Sequence, residues 1–283
     1  MQVAIINITK ACPLKCPGCY YYTFYNKKNA HIKLNDYKKI INRLSENNGW
    51  KRIELSGGEP FLHPKLFEMV KYTYKKIIRP IVFTSGVINN RNKIRKLKPY
   101  IDSFNVTIKY PDKMDDGFKG MPGALEDALK FLKICYKLRI LTNIHWTVDN
   151  FNYGCFEEMY DIAKKFSSKL IMLRYLPFSK EMMPRYLKEK YWESIVEYAL
   201  KYENVHIGFP SYQTTYNYCV AGITRLAISV DGEVSPCIYL NNSVGNILNL
   251  SWKEIKRRLL VWRKNYKAKI KCIAEEKCLG GIL

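Results

Sequence analysis

Short apolar runs alternate with amphipathic helical segments along most of this chain. Runs with strand character lie at residues 3–8, 51–56, 80–84, 104–108, 140–148 and 170–175. Apolar side chains recur at helical spacing in residues 34–44, 66–77, 90–98, 123–138, 156–166 and 188–202. About six strand–helix repeats of this kind predict an α/β fold with a parallel sheet, either open or closed into a barrel. Functional groups are then expected at the carboxyl ends of the strands.

The repeat stops near residue 210, where a different pattern begins. Residues 226–234 alternate apolar and polar side chains around Asp231-Gly232, which predicts a β-hairpin. A basic amphipathic helix is predicted over residues 252–271, with nine Lys or Arg residues and Glu254 as its single acid. The sequence therefore predicts two domains, a core over residues 1–210 and a small α+β module over residues 211–283.

The composition predicts the cellular compartment of the protein but does not identify its function. The chain has 283 residues, nine cysteines and a formal net charge of +22. No apolar run reaches the roughly 18–20 residues that cross a membrane, and no signal peptide is visible. Cysteines without a secretion signal predict a cytoplasmic protein that uses thiols for metal or redox chemistry, although Cys135 and Cys155 are expected to be structural. The charge favours phosphates, anionic substrates or acidic partners without choosing among them.

Three cysteines within eight residues form the densest candidate site. Cys12, Cys16 and Cys19 follow the first strand at C-x3-C-x2-C spacing, which indicates ligands that converge on one metal centre. A closed zinc or iron–sulfur site uses four protein ligands, so three local thiolates leave one position open for chemistry. The turn Gly57-Gly58-Glu59-Pro60 follows the second strand. Both motifs are therefore expected at the same rim of the sheet.

The cysteine loop and the Gly-Gly-Glu-Pro turn together resemble the radical S-adenosylmethionine (SAM) superfamily. The resemblance spans most of the chain and implies a partial (β/α)6, TIM-like barrel. It implies a [4Fe–4S] cluster on Cys12, Cys16 and Cys19 with SAM bound at its open iron. It also implies reductive cleavage of SAM to a 5′-deoxyadenosyl radical, which abstracts a hydrogen atom from a peptide or small-molecule substrate for oxidation or bond formation. An electron donor such as flavodoxin or ferredoxin is implied as a partner.

Further residues are assigned by the same resemblance. Gly57, Gly58 and Glu59 are expected against the amino group of SAM, and no catalytic acid or base is assigned. Polar residues of the fourth strand often reach SAM in this family, so Thr107 is a candidate contact. The family often places an arginine at the end of the sixth strand, and the fork of Arg174 suits a carboxylate.

The chain departs from the family pattern at two positions. Many relatives carry Ser-x-Asp on the fourth strand, where this chain has Thr107-Ile108-Lys109. The family usually places an aromatic residue before the third cysteine, near the adenine, where this chain has Gly18. Tyr20 or another member of the aromatic run 20–25 is a possible replacement. On the fifth strand, Asn143 and His145 are rim candidates, with His145 expected to be a hydrogen-bonded core histidine.

The C-terminal segment resembles the SPASM/Twitch extension of radical SAM enzymes. The resemblance is carried by Cys219-x17-Cys237, the hairpin and Pro236 before Cys237. With Cys272 and Cys278 it implies four thiolates, enough to close one auxiliary [4Fe–4S] cluster. A zinc knuckle of the same four cysteines is the alternative.

Two other functions compete with this interpretation. One is a nucleotide-modifying enzyme similar to the molybdenum-cofactor cyclase, for which the basic helix suits a triphosphate or RNA. The other is a non-catalytic RNA-binding protein in which zinc stabilises the fold. The three-ligand loop argues against the second function, and nucleic acid is not the favoured partner.

Overall fold

The fold is built on one large sheet. The computed structural model describes residues 2–20, 30–45, 50–76, 78–208, 219–240, 242–265 and 272–280, apart from the side chains of Lys277 and Cys278. Within these ranges the strands are β1 (Gln2–Thr9), β2 (Trp50–Gly57), β3 (Arg79–Thr84), β4 (Ser103–Thr107), β5 (Thr142–Val148), β6 (Lys169–Arg174), β7 (Val205–Ile207), β8 (Arg225–Ile228), β9 (Glu233–Ser235) and β10 (Gly245–Asn246). Their order in the sheet is β10-β9-β8-β1-β2-β3-β4-β5-β6-β7.

Helices connect successive parallel strands, as the sequence pattern predicts. The described helices are α1 (Leu34–Ser45), α2 (Leu66–Lys75), α3 (Arg91–Leu97), α4 (Met114–Lys119), α5 (Ala124–Leu138), α6 (Phe156–Lys165), α7 (Glu189–Ala199), α8 (Trp252–Lys264) and α9 (Ile273–Gly280). Strands β1 to β7 are all parallel to their neighbours. Among the described strands, the antiparallel pairs are β8 with β9 and β9 with β10.

The alternation of side chains along each strand separates the two faces of the sheet. On β2, Ile53 and Leu55 are fully buried in the core that the helices cover, together with residues such as Ile41 of α1. Arg52 and Glu54, at the intervening positions, line a cavity on the other face. Side chains from β1 through β8 line this same cavity, so the sheet curves around it. The predicted fold class, a partial barrel with a small C-terminal module, is confirmed.

The C-terminal hairpin continues the sheet of the core. Strand β8 pairs in parallel with β1, from Val3 opposite Arg225 to Ile6 opposite Ile228. The predicted hairpin is therefore present, but it is joined edge to edge with the first strand. Residues 209–218 lie outside the described ranges, so the predicted domain boundary at residue 210 stays a prediction.

Several elements differ from the sequence pattern. The short helix α4, the three-residue strand β7 and the helix α9 were not predicted, because each is too short or too polar to show a clear period. The predicted helix over residues 252–271 is described as far as Lys264, and residues 266–271 lie outside the described ranges. Among the described residues, no helix is long and apolar enough to cross a membrane.

Candidate active site

The curved sheet encloses a cavity of about 540 Å³. This volume is typical of sites for small molecules and cofactors. The carboxyl ends of the strands form its upper end, where the loops after β1 and β2 carry the two predicted motifs. Cys12, Cys16 and Cys19 all line the cavity, as do Gly57, Gly58 and Glu59. The structure therefore brings both motifs to one site.

The cysteine loop turns tightly at its third cysteine. The N–H of Cys19 donates to the carbonyl of Cys16 at 3.3 Å. Gly18 between them has φ +71°, a conformation that costs glycine little. All three thiols are partly exposed. The next residue, Tyr20, contacts Ser56 Oγ through its hydroxyl at 3.3 Å, whereas residues 21–25 of the predicted aromatic run lie outside the described ranges.

The arrangement of these thiols fits a cluster better than a single ion. Among the described residues, no three His, Cys, Asp or Glu side chains converge as ligands of one metal ion. Tetrahedral zinc would hold thiolate sulfurs about 3.8 Å apart, given bonds of about 2.3 Å. A cluster binds each thiolate through a separate iron and so accepts a wider spacing. Three thiols that line one cavity match three of the four ligands of a [4Fe–4S] cluster and leave one position open.

Burial keeps the thiols of Cys12 and Cys16 protonated when no metal is bound. It raises the pKa of the Cys12 thiol to about 11 and that of the Cys16 thiol to about 12. Thiolates are the forms that bind iron, so loading a cluster on these residues releases protons.

The Gly-Gly-Glu turn is bound directly to the base of the cysteine loop. The N–H of Gly58 donates to the Thr9 carbonyl at 2.8 Å, and the N–H of Glu59 donates to the Ala11 carbonyl at 2.7 Å. A Cβ on Gly57 would overlap the Thr9 carbonyl oxygen, and a Cβ on Gly58 would overlap that of Ala11. The glycines are therefore required first for close packing of the two loops.

The side chain of Glu59 fastens this turn to the end of β3. Its Oε1 accepts from Thr84 Oγ1 at 2.8 Å and from the Phe61 N–H at 3.2 Å. Its Oε2 accepts from the N–H and the Oγ of Ser85, at 2.9 and 2.6 Å. Burial nevertheless raises the pKa of this carboxyl above its usual range. Glu59 thus holds three loops in register, and its predicted contact with SAM stays a prediction.

Lys109 follows the end of the fourth strand by two residues and carries a buried charge. Its Nζ donates to the Thr147 carbonyl at 2.7 Å and pairs with Asp149 Oδ2 at 2.8 Å. Arg185 binds the same carboxylate oxygen at 2.8 Å. Burial lowers the pKa of Lys109 to about 8, against the opposing effect of Asp149. Thr107, the predicted SAM contact on this strand, lines the cavity and donates to the Thr84 carbonyl at 3.5 Å; its role stays a prediction.

A second buried lysine joins the fourth strand to the cysteine loop. Lys119 Nζ pairs with Asp115 Oδ2 at 2.7 Å and donates to the Thr107 carbonyl at 2.9 Å. The carbonyl of Lys119 accepts from the N–H of Lys15 at 2.9 Å. The positive charge of the Lys119 side chain also opposes the rise in the pKa of the Cys16 thiol. Nothing in the sequence pattern identified Lys119, because its ion pair lies in a helix of six residues.

Arg174 has different partners from those expected. Its Nη1 pairs with Glu189 Oε2 at 2.5 Å and with Glu275 Oε1 at 3.1 Å. Its Nη2 donates to Tyr186 Oη at 2.9 Å and to the Leu187 carbonyl at 2.7 Å. Arg174 lines the cavity, but these contacts use its guanidinium to bind α9 to the barrel. Its contact with the carboxylate of SAM stays a prediction.

Tyr175 and His145 each place an unsatisfied polar atom in the cavity wall. Tyr175 Oη is buried, and no described residue is its hydrogen-bond partner; the Lys109 ammonium lies 5.1 Å from its ring centroid. His145 Nδ1 is likewise buried without a partner among the described residues, and its ring packs edge-on against Phe83. The prediction of a hydrogen-bonded core histidine is therefore wrong. Burial, helped by Arg225, lowers the pKa of His145 to about 3, so the imidazole is neutral.

Three of the four C-terminal cysteines belong to one group of buried apolar residues. Cys219, Cys237 and Cys272 lie in one apolar group and are each 6% exposed or less. The Cys272 thiol donates to Cys219, which lowers the pKa of Cys219 and raises that of Cys272. The side chain of Cys278 lies outside the described residues. The four-cysteine ligand set, and the choice between a cluster and zinc at these residues, stay predictions.

Comparison with known protein families shows which family this chain belongs to. A family model described as the radical SAM superfamily matches residues 6–163. This chain belongs to the radical SAM superfamily. A second model, SPASM, described as an iron–sulfur cluster-binding domain, matches residues 219–278. The predicted family and its cofactors are confirmed: this radical SAM protein is an enzyme that uses SAM and a [4Fe–4S] cluster, and it carries an auxiliary cluster segment.

Individual relatives resemble this radical SAM protein only distantly. An AdoMet-dependent heme synthase of Methanosarcina barkeri is 24% identical over 91% of this chain and 82% of its own length. The subtilosin biosynthesis protein AlbA of Bacillus subtilis is also 24% identical, over 91% of this chain and 60% of its own length. The Streptococcus suis protein SuiB bound to the precursor peptide SuiA superposes with a TM-score of 0.73 at 16% identity. The superposition covers 90% of this chain and 64% of SuiB. The likeness to SuiB supports the fold alone.

Proposed function

We propose that this radical SAM enzyme holds its [4Fe–4S] cluster on Cys12, Cys16 and Cys19 and binds SAM against Gly57, Gly58 and Glu59. The observation that carries this assignment is that the cysteine loop and the Gly-Gly-Glu turn line one cavity and are joined by two backbone hydrogen bonds. When bound, the reduced cluster and SAM supply a carbon-centred radical that abstracts a hydrogen atom from the substrate. The proposed outcome is oxidation of the substrate or formation of a new bond in it.

The residues of the chain orient these groups and exclude water. Glu59 accepts four hydrogen bonds through its side chain, which fasten the loop after β2 to the end of β3, and its N–H donates to Ala11 in the loop after β1. Tyr175 offers an aromatic face and an unsatisfied hydroxyl in the same wall, which suits a purine ring. We assign to Tyr175 the adenine contact that Gly18 cannot make. Lys109 and Lys119 hold buried ammonium groups in the wall of the cavity, each paired with a buried aspartate.

The substrate class and the electron donor also belong to this proposal. A peptide or a small molecule is proposed as substrate, and a flavodoxin or ferredoxin as donor. Two similar proteins are named for heme synthesis and for bacteriocin biosynthesis, which supports these two classes without choosing between them. The non-catalytic RNA-binding alternative is not favoured, because similar proteins of the family are named as enzymes. The cyclase-like nucleotide alternative is not favoured.

The auxiliary ligands proposed are Cys219, Cys237, Cys272 and Cys278. Support comes from the burial of the first three in one group and from the match of residues 219–278 to a cluster-binding family. The module lies against the edge of β1 that leads to the cysteine loop. Tyr20 and Tyr239 pack edge to face between the two cysteine groups, with ring centroids 5.8 Å apart.

Anaerobic reconstitution with iron and sulfide tests both ligand sets. After strong reduction and addition of SAM, the enzyme is expected to form 5′-deoxyadenosine. A triple variant with Cys12, Cys16 and Cys19 replaced by Ala should form none and should keep about four irons per chain on the auxiliary ligands. Cys135→Ala is the control, because this thiol is buried in α5 away from both groups. Wild-type levels of 5′-deoxyadenosine from the triple variant would refute the assignment.

A further inference from the structure

The lower half of the cavity, toward the amino ends of the strands, is lined by cationic side chains. Arg52 on β2, Lys169 on β6 and Arg225 on β8 all line it. The period of two places these residues on the inner face, because their neighbours Ile53, Leu170 and Leu226 pack into the helix-covered core. Arg52 and Arg225 are at one level of the sheet, since each is paired with Val3 on β1. These three cations are called the basic floor below.

The carboxylates near the basic floor balance only part of its charge. Glu54 is 3.7 Å from Arg225, so these two charges compensate each other. Asp102 is shared, at 3.9 Å from Arg52 and 3.4 Å from Arg79. Glu203 lines a neighbouring cavity together with Lys169, but Lys169 forms no ion pair with any described residue. Arg52 Nε is buried without a hydrogen-bond partner among the described residues. Positive charge and hydrogen-bond donors therefore remain unsatisfied on the side of Arg52 and Lys169.

Two histidines near these cations have pKa values below the usual range for histidine. The pKa of His145 is lowered by burial and then by Arg225. The pKa of His206 is lowered by burial and then by Lys169. Both line the cavity, and both are therefore neutral. Neither adds to the charge of the floor, but each can contribute a hydrogen-bond donor to a ligand.

Some side chains near the basic floor also line a second cavity at the other end of the barrel. A second cavity of about 510 Å³ lies at the amino ends of β4 to β6. It shares Arg52, Asn143 and Lys169 with the main cavity, so these side chains form the partition between the two. Asn143 Nδ2 donates to Asn105 Oδ1 at 2.8 Å, which fixes the amide within the partition. Lys169 is exposed and the Arg52 side chain is 32% exposed, so an anion held here would be reached from solvent and would meet donors from three different strands.

We propose that Arg52 and Lys169 bind a carboxylate or phosphate group of the substrate, which places the remainder of the substrate toward the cysteine loop. Arginine binds such groups through paired N–H donors and lysine as a point charge, so the two together suit one anionic head group. The orientation of the substrate rests on the proposed function, because it needs the reaction to occur at the upper end. Binding of the anion does not depend on SAM or on a cluster.

The probes are inorganic phosphate and glutarate, with propanediol as a neutral control. Binding to the cofactor-loaded protein is measured by calorimetry and by the rise in melting temperature at constant ionic strength. Arg52→Gln and Lys169→Gln are each expected to weaken binding of the anions by about tenfold, the loss typical of one charge-assisted hydrogen bond. Lys169→Arg should retain most of the affinity because it keeps the charge. The two probes distinguish a phosphate head group from a carboxylate.

A variant of a surface lysine distinguishes specific anion binding at this site from the nonspecific attraction of anions to a highly basic protein. Lys164→Gln is the matched control, because this exposed lysine lines only the second cavity. Equal affinities in Arg52→Gln, Lys169→Gln and Lys164→Gln would overturn the proposal, as would equal effects of propanediol and glutarate. Formation of 5′-deoxyadenosine is measured in parallel. Loss of anion binding in the two floor variants, with no 5′-deoxyadenosine even from wild type, would uphold the anion site and refute the proposed function.

Discussion

A side chain at residue 18 would occupy the space filled by Tyr175. A Cβ built on Gly18 overlaps the Tyr175 hydroxyl oxygen, although the two residues follow different strands on opposite sides of the cavity mouth. Tyr175, which follows β6, thus places an aromatic ring beside the position in the cysteine loop where this chain has Gly18. Either residue alone is unremarkable in the sequence, and the relationship exists only in the folded chain.

Gly18→Ala is expected to destabilise the protein more than Gly123→Ala does. Both glycines have positive φ, so each substitution carries a backbone cost of about 1–2 kcal/mol. Gly123 has no atom near its Cβ position, whereas Gly18 meets Tyr175 and incurs a further cost of about 1–3 kcal/mol. Free energies of unfolding in urea measure the difference. The double variant Gly18→Ala/Tyr175→Phe should recover the additional loss, and failure to recover it would contradict the packing described here.

Stability is expected to fall on mild acidification through His145. Its pKa is about 3 in the folded protein and about 6.5 when unperturbed. Between these values the unfolded chain binds a proton that the folded protein does not, so stability decreases as the pH falls below about 6.5. His145→Gln removes this titration. Urea unfolding at neutral pH and near pH 5 should show a larger loss in wild type than in the variant, and parallel losses would refute the assignment.

Arg174→Met is expected to loosen the C-terminal helix α9 from the barrel. The variant leaves Glu275 without the buried guanidinium 3.1 Å away, at a cost of about 3–5 kcal/mol for breaking a buried pair. The control is Asp231→Asn, which removes the exposed partner of Lys10 and should cost at most about 1 kcal/mol. Hydrogen exchange of the α9 amides and urea unfolding measure the two effects. Unchanged protection of α9 in Arg174→Met would show that this contact does not hold the helix.

Asp149→Asn is expected to cost more stability than Lys109→Met. Asp149 is fully buried and binds Lys109 and Arg185 through one oxygen, so its neutralisation leaves two cations facing each other. Lys109→Met removes one cation and leaves the pair of Asp149 and Arg185 intact. The expected losses are about 3–5 kcal/mol for Asp149→Asn and less for Lys109→Met. The reverse order in urea unfolding would mean that Lys109, not the carboxylate, holds this end of the site.

Much of the upper site could be predicted because its chemistry is local in sequence. The spacing of Cys12, Cys16 and Cys19 and the glycines after β2 are visible without a fold, and alternating patterns place both motifs at strand ends. The partners of Arg174 could not be predicted, because Glu275 lies about a hundred residues away in a short polar helix. The unsatisfied nitrogen of His145 was missed for a similar reason. The apolar residues next to His145 along its strand do not reveal which side chains face it across the curved inner surface of the sheet.

The sequence by itself determined the family, the order of strands and helices along the core, and the residue types available for a cluster, because each follows from short-range spacing. Tertiary structure alone decided that β8 joins β1, that Tyr175 fills the space above Gly18 and that Arg52 and Lys169 line the same two cavities. These relationships depend on strand register and on the curvature of the sheet. A one-residue change in register turns an inward-facing side chain to the opposite face of the sheet, and no local pattern in the sequence records which residues then face each other.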